Sequence, residues 1–136
     1  MLAGTKASIQ SADRHRRRLG GAMRQTGIYA AAALHGLDHH IARLGEDHAN
    51  ARLFAERLVA GAPVTLDLAT VQTNIVVFHL PSSVAIDAPT LTARAREQGV
   101  LLNAFAARTV RAVTHLDVSD AQCATAADVL VRLLTE

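Results

Sequence analysis

A chain of 136 residues has room for one or two small folding units, and its net charge of +2 is small. Half of its residues are apolar and only 3% aromatic, which excludes both a disordered chain and a base-stacking single-strand binder. Thirteen arginines outnumber the one lysine, Lys6, and Cys123 is the only cysteine, so no internal disulfide can form.

Met1 to Gly4 is a short apolar stub. Ser8 to Arg18 reads as a polar helix closed by Gly20-Gly21, where glycine accepts the left-handed conformation of a C-terminal cap. From Gln25 to Leu44 a single long helix is predicted, because Ala30, Leu34, Leu37, Ile41 and Leu44 recur at steps of three and four. Gly45 is read as its interruption. A further helix spans Glu46 to Ala60, with Leu53, Phe54 and Leu58 inward and Gly61 and Pro63 as its stop.

Asn74 to Leu80 has the β-branched character of a buried strand. Asp87 caps a helix with Pro89 in its first turn, which runs to Gln98 and ends at Gly99. Val100 to Asn103 and Thr109 to Val113 are two short strands. Ser119 and Gln122 form a capping box for a last helix that buries Cys123, Ala126, Ala127, Leu130, Leu133 and Leu134. The fold class is α+β, long helices leading into a small layered C-terminal domain, with a boundary near residue 45 that separates 1–45 from 46–136. No apolar run is long enough to span a bilayer, and no secretory signal is evident, so the expected location is cytoplasmic.

Two arginines stand beside element boundaries. Arg24 follows Gly20-Gly21-Ala22-Met23 and precedes a helix, a setting in which glycine backbone, helix N–H groups and a guanidinium can meet one anion. Taken alone, a capping turn with a solvated arginine explains the same pattern. Arg111 lies in a short strand between Val110 and Val113, where a partly buried guanidinium requires an anionic partner. Asp117 or Asp120 would satisfy that need from within the chain. The run Arg14-His15-Arg16-Arg17-Arg18 is most simply a solvated helix face. His35 and His39, one helical turn apart, lack an evident third ligand, and no metal is expected. Cys123, Asn74 and Asn103 are read as structural.

Together, in this order, Gly20-Gly21-Ala22-Met23-Arg24-Gln25 and the R-x-V-T-H-x-D run from Arg111 to Asp117 resemble the C-terminal portion of the low-specificity L-threonine aldolases. These are fold-type I pyridoxal-phosphate enzymes of the β-eliminating lyase group. The resemblance implies that Arg24 binds the cofactor phosphate, that Arg17 supports it from a subunit interface, and that Arg111 grips the substrate carboxylate. Thr114, His115 and Asp117 would shape the turn and orient that arginine. Ala22 replaces the family's third glycine. Residues 1–45 would be the edge of the large cofactor domain with its connecting helix, and 46–136 the small C-terminal domain.

The resemblance also defines what is not in this sequence. The family's Schiff-base lysine lies in an S-K-G segment, and Lys6 does not match it. The histidine that stacks on the cofactor ring and the aspartate that pairs with its nitrogen are likewise not here. The expectation is a portion of a lyase that cleaves β-hydroxy-α-amino acids to glycine and an aldehyde, inactive alone, and a homo-oligomer (a tetramer in the family) in its complete form. The competing readings are a truncated non-catalytic paralogue that serves as an assembly or binding partner and, more weakly, a polyanion binder through Arg14 to Arg18. Neither nucleic acid nor membrane is expected as a partner.

Overall fold

The computed structural model describes residues 2–136 as two compact units that divide between Ala42 and Arg43. The N-terminal unit holds two helices. Helix α1 (Lys6–Arg18) starts at Thr5, whose Oγ1 accepts the amide of Ser8, and its last turn collects His15 and Arg16 to Arg18 at the negative end of the dipole. Gly20 then takes a φ of +78°, and the amide of Gly21 returns to the carbonyl of Arg16 at 2.8 Å. Helix α2 (Gly27–His39) follows after a turn through Arg24 to Thr26. None of its residues is buried: Leu34 and Leu37 lie open, as does Ile41 beyond its end.

The long helix expected from Gln25 to Leu44 is therefore shorter and broken. Its hydrogen bonds stop at His40, which donates to Gly36, and Ile41–Arg43 forms a separate 3-10 turn. Gly45 does not interrupt anything. It sits in the first turn of the next helix, where amides need no intrahelical partner and a glycine costs little.

The C-terminal unit has a core of its own. Helix α3 (Leu44–Gly61) buries Asp47, Asn50, Ala51, Phe54, Ala55 and Leu58, the three-and-four spacing of one face; Leu53 is only half-buried. Its end packs closely on the last helix, since a Cβ on Gly61 would meet Cγ2 of Val131 at 2.8 Å. Strands β1 (Ile75–His79), β2 (Asn103–Ala106) and β3 (Thr109–Val113) form an antiparallel sheet in the order β1-β3-β2. The strand expected over Val100 to Asn103 begins only at Asn103, the first residue with a ladder partner on β3.

Helix α4 (Ala88–Glu97) is capped by Asp87, which accepts the amide of Thr90 at 2.9 Å. Helix α5 (Asp120–Thr135) starts with both bonds of the Ser119–Gln122 capping box. One sheet face, through Val76, Phe78, Val110 and Ala112, packs with Leu58, Leu91 and Leu130 of the three helices into the core. The other face is open. Strand β1 thus alternates, with Val76 and Phe78 buried and Ile75, Val77 and His79 exposed, so the strand read as buried is buried on one face only. Arg111 lies on the open face, paired with Val77 on one side and Asn103 on the other.

Candidate functional site

In the N-terminal unit Arg24 is exposed and has no hydrogen-bond or ion-pair partner among the described residues. It stands in the turn that leads into α2, and Thr26 at the helix start makes no side-chain capping bond. A free guanidinium next to an uncapped helix start suits a phosphate: the cation supplies charge and direction, the helix end supplies N–H groups. Arg17 is placed differently. Its Nε pairs with Asp13 at 3.1 Å, and Arg16 takes the same carboxylate at 2.8 Å. The hydrogen bonds from Arg16, aided by the charges of Arg17 and Arg16, hold the Asp13 carboxyl below the usual carboxylate range. Two arginines of the basic run thus share one carboxylate. Arg16 also donates to the Gly21 carbonyl at 2.9 Å, which ties α1 to the glycine turn.

In the C-terminal unit the half-buried Arg111 has a different environment. Its Nε is buried with no acceptor, and its Cζ lies 5.8 Å from the ring centre of Phe105. No carboxylate pairs with it among the described residues. Asp117 faces His115 at 3.4 Å instead, and Asp120 accepts the amide of Ala121 at the start of α5. The internal partners that the sequence allowed are therefore engaged elsewhere, and the guanidinium keeps its demand for an anion.

The residues after Arg111 hold it in register. Thr114 is buried; its amide donates to the Asn74 carbonyl at 2.9 Å and its hydroxyl to the Asp47 carbonyl at 2.6 Å. Asn74 returns a bond from Nδ2 to the Thr114 carbonyl at 2.8 Å. Asn50 reaches the Val118 carbonyl, and Arg43 pairs with the buried Asp47 at 3.3 Å. The end of β3 is thereby fastened to α3 and to the start of β1, so the strand that carries Arg111 cannot slip.

Sequence reasoning missed two residues here. Arg108, in the turn between β2 and β3, donates to the carbonyls of Leu80, Pro81, Val84 and Ile86 and so gathers the whole loop before α4. No spacing rule announces such a clamp, because its acceptors are backbone atoms. Phe105 could have been singled out as one of only three phenylalanines. A cavity of about 480 Å³ between residues 98–102 and α5 includes Cys123 in its wall. Burial, with the Asp120 charge adding to it, pushes that thiol up, away from a reactive thiolate. The rings of His35 and His39 lie 4.4 Å apart, yet no three potential metal ligands converge among the described residues.

Comparison with known proteins gives this geometry its context. The β-eliminating lyase family matches residues 1–81, more than half of the chain. The chain belongs to this family. It is 41% identical over 125 residues to the low specificity L-threonine aldolase of Escherichia coli K12, an overlap of 91% of the chain and 35% of that protein. It is 35% identical over 120 residues to a probable low-specificity L-threonine aldolase of Arabidopsis thaliana, covering 88% of the chain and 34% of the relative. The chain thus spans about a third of the length of the curated relatives it matches. No helix among the described residues is long and apolar enough to cross a membrane.

Proposed function

We propose that these residues supply the anion-holding part of a fold-type I, pyridoxal-phosphate-dependent lyase that cleaves β-hydroxy-α-amino acids such as L-threonine to glycine and an aldehyde. The observation that carries this reading is Arg111: a half-buried guanidinium on an open sheet face, without an internal carboxylate, in a chain that belongs to the β-eliminating lyases.

Arg111 binds the amino acid's carboxylate. Gripping that group fixes rotation about Cα and so sets the Cα–Cβ bond in the orientation that cleavage needs. The fastened end of β3 makes the grip stiff, because Thr114, Asn74 and Asp47 leave the strand one register. Arg24 and the start of α2 hold the cofactor phosphate, with Arg17 in a supporting position. When bound, pyridoxal phosphate acts as the electron sink for the broken bond. Lys6 does not match the family's cofactor-bearing lysine, so the 136 residues by themselves are expected to bind these anions without turnover. In the complete enzyme the partners would be the amino acid and further copies of the same subunit.

Titration of the 136-residue chain with glycine tests this reading, followed through the side-chain Nε–H signals of ¹⁵N-labelled arginine. A saturable shift of the Arg111 signal and of the Arg108 backbone amide, the latter absent in Arg111→Gln, is the expected result. Equal binding by the two proteins would overturn it.

A further inference from the structure

The β2–β3 ladder contains one irregularity, and it falls beside Arg111. Ala104 pairs with Val110, and the next pair is Ala106 with Thr109, so Phe105 is an extra residue in a bulge. A bulge turns one side chain away from regular alternation and is a recurrent means of aiming a residue at a site. Phe105 is left 68% exposed, makes no part of the core, and has its ring centre 5.8 Å from Cζ of Arg111. A large apolar ring left in water on a bulge is not explained by packing. An aromatic face within about 6 Å of a guanidinium is attracted to it through the ring quadrupole.

We propose that Phe105 is the positioning residue for Arg111, holding its guanidinium for an incoming carboxylate; this rests on the reading of Arg111 as the carboxylate grip. The ring holds the guanidinium without occupying a donor, so the cation is oriented while its N–H groups stay free for the ligand. An aspartate at this distance would orient Arg111 as well, but would satisfy it and compete with the incoming carboxylate. The bulge sets where the ring stands: Phe105 has no partner of its own on β3 and falls between the Ala104–Val110 and Ala106–Thr109 pairs.

The test uses the ¹⁵N-arginine-labelled chain, with glycine as the probe, in four forms: unaltered, Phe105→Leu, Phe105→Trp and Arg111→Gln. Phe105→Leu is expected to remove the ring-current displacement of the Arg111 Nε–H signal and to weaken glycine about three- to fivefold. Phe105→Trp is expected to restore both. The ring-current change reports only that the ring is near Arg111; the readout a structural role alone would not move is glycine affinity, lost in Phe105→Leu and recovered in Phe105→Trp, with an unchanged backbone amide spectrum establishing that the Leu variant is folded. Loss of binding in Arg111→Gln with unaltered affinity in Phe105→Leu would overturn the role of Phe105 and leave the carboxylate grip standing. Unaltered binding in Arg111→Gln would overturn both.

Discussion

Two arginines in the same hairpin do opposite things. Arg108 is saturated by backbone carbonyls and acts as a clamp; Arg111, three residues later, is left with an orphaned Nε–H. Replacing Arg108 by Met removes the clamp and strands the carbonyls of the Pro81–Ile86 loop. The expected cost is about 3 kcal/mol in urea denaturation, since hydrogen bonds to a charged donor contribute roughly 1.5–3 kcal/mol each and do not add fully. Arg111→Gln breaks no internal hydrogen bond or ion pair, only an exposed contact with the Phe105 ring, and is expected to change stability by less than about 1 kcal/mol. Cys123 is a further case in which burial decides behaviour. Its thiol titrates above the ordinary range in the fold, so the unfolded chain loses that proton first as pH rises. Stability from this group is complete below the unfolded pKa and falls through the alkaline range, and thiol labelling in the native state should be slow enough to track unfolding. Slow urea-independent labelling at pH 8 would confirm access through local opening instead. Asp87 has the opposite sign: its bonds from Thr90 lower its pKa, so its capping is complete at neutral pH and is lost as pH falls through the folded value.

The elements show why some boundaries were legible and others were not. The capping box at Ser119 and the Asp87–Pro89 start were readable because a side chain bonding its own local backbone leaves a fixed spacing. The strand at 103–106 was misplaced because Val100 to Leu102 looks as β-prone as Asn103 to Ala106, and only the ladder with β3 chooses between them. The break after His39 was hidden by an apolar period that continues unaltered through Ile41 and Leu44. As for the site, Arg24 and Arg111 were visible from their motifs, whereas Phe105 and Arg108 depend on a bulge and on distant carbonyls. Thr114 is the element-level joint: its hydroxyl bond to the Asp47 carbonyl couples β3 to α3. Thr114→Val keeps the shape and removes that bond, and is expected to cost about 1–2 kcal/mol and to broaden the amide signals of Asn74 and Arg111.

At the scale of the whole molecule, stability is unevenly shared. Every buried apolar residue among those described lies in residues 43–136, and α1 and α2 contain none. Hydrogen exchange should therefore be fast throughout α1 and α2 and slowest around Phe78, Val110 and Leu130. Helix α2 is apolar over most of its surface, and Ile28, Tyr29, Leu34 and Leu37 are all exposed, which favours association. Leu34→Glu with Leu37→Glu is expected to lower the apparent mass in light scattering wherever the unaltered chain self-associates. The two arginines proposed to hold anions belong to different units, Arg24 to the first and Arg111 to the second, and the proposal gives both a part in one reaction.

That reading is tested most directly by exchanging the matched stretch of the Escherichia coli low specificity L-threonine aldolase for this chain, with and without Arg111→Gln, and measuring kcat/KM for L-threonine. The account predicts a chimera that cleaves L-threonine and loses about a hundredfold or more in kcat/KM on Arg111→Gln, the scale of an unpaired carboxylate in a partly buried site. A folded, cofactor-loaded chimera whose kcat/KM is the same with Gln as with Arg at position 111 would contradict it.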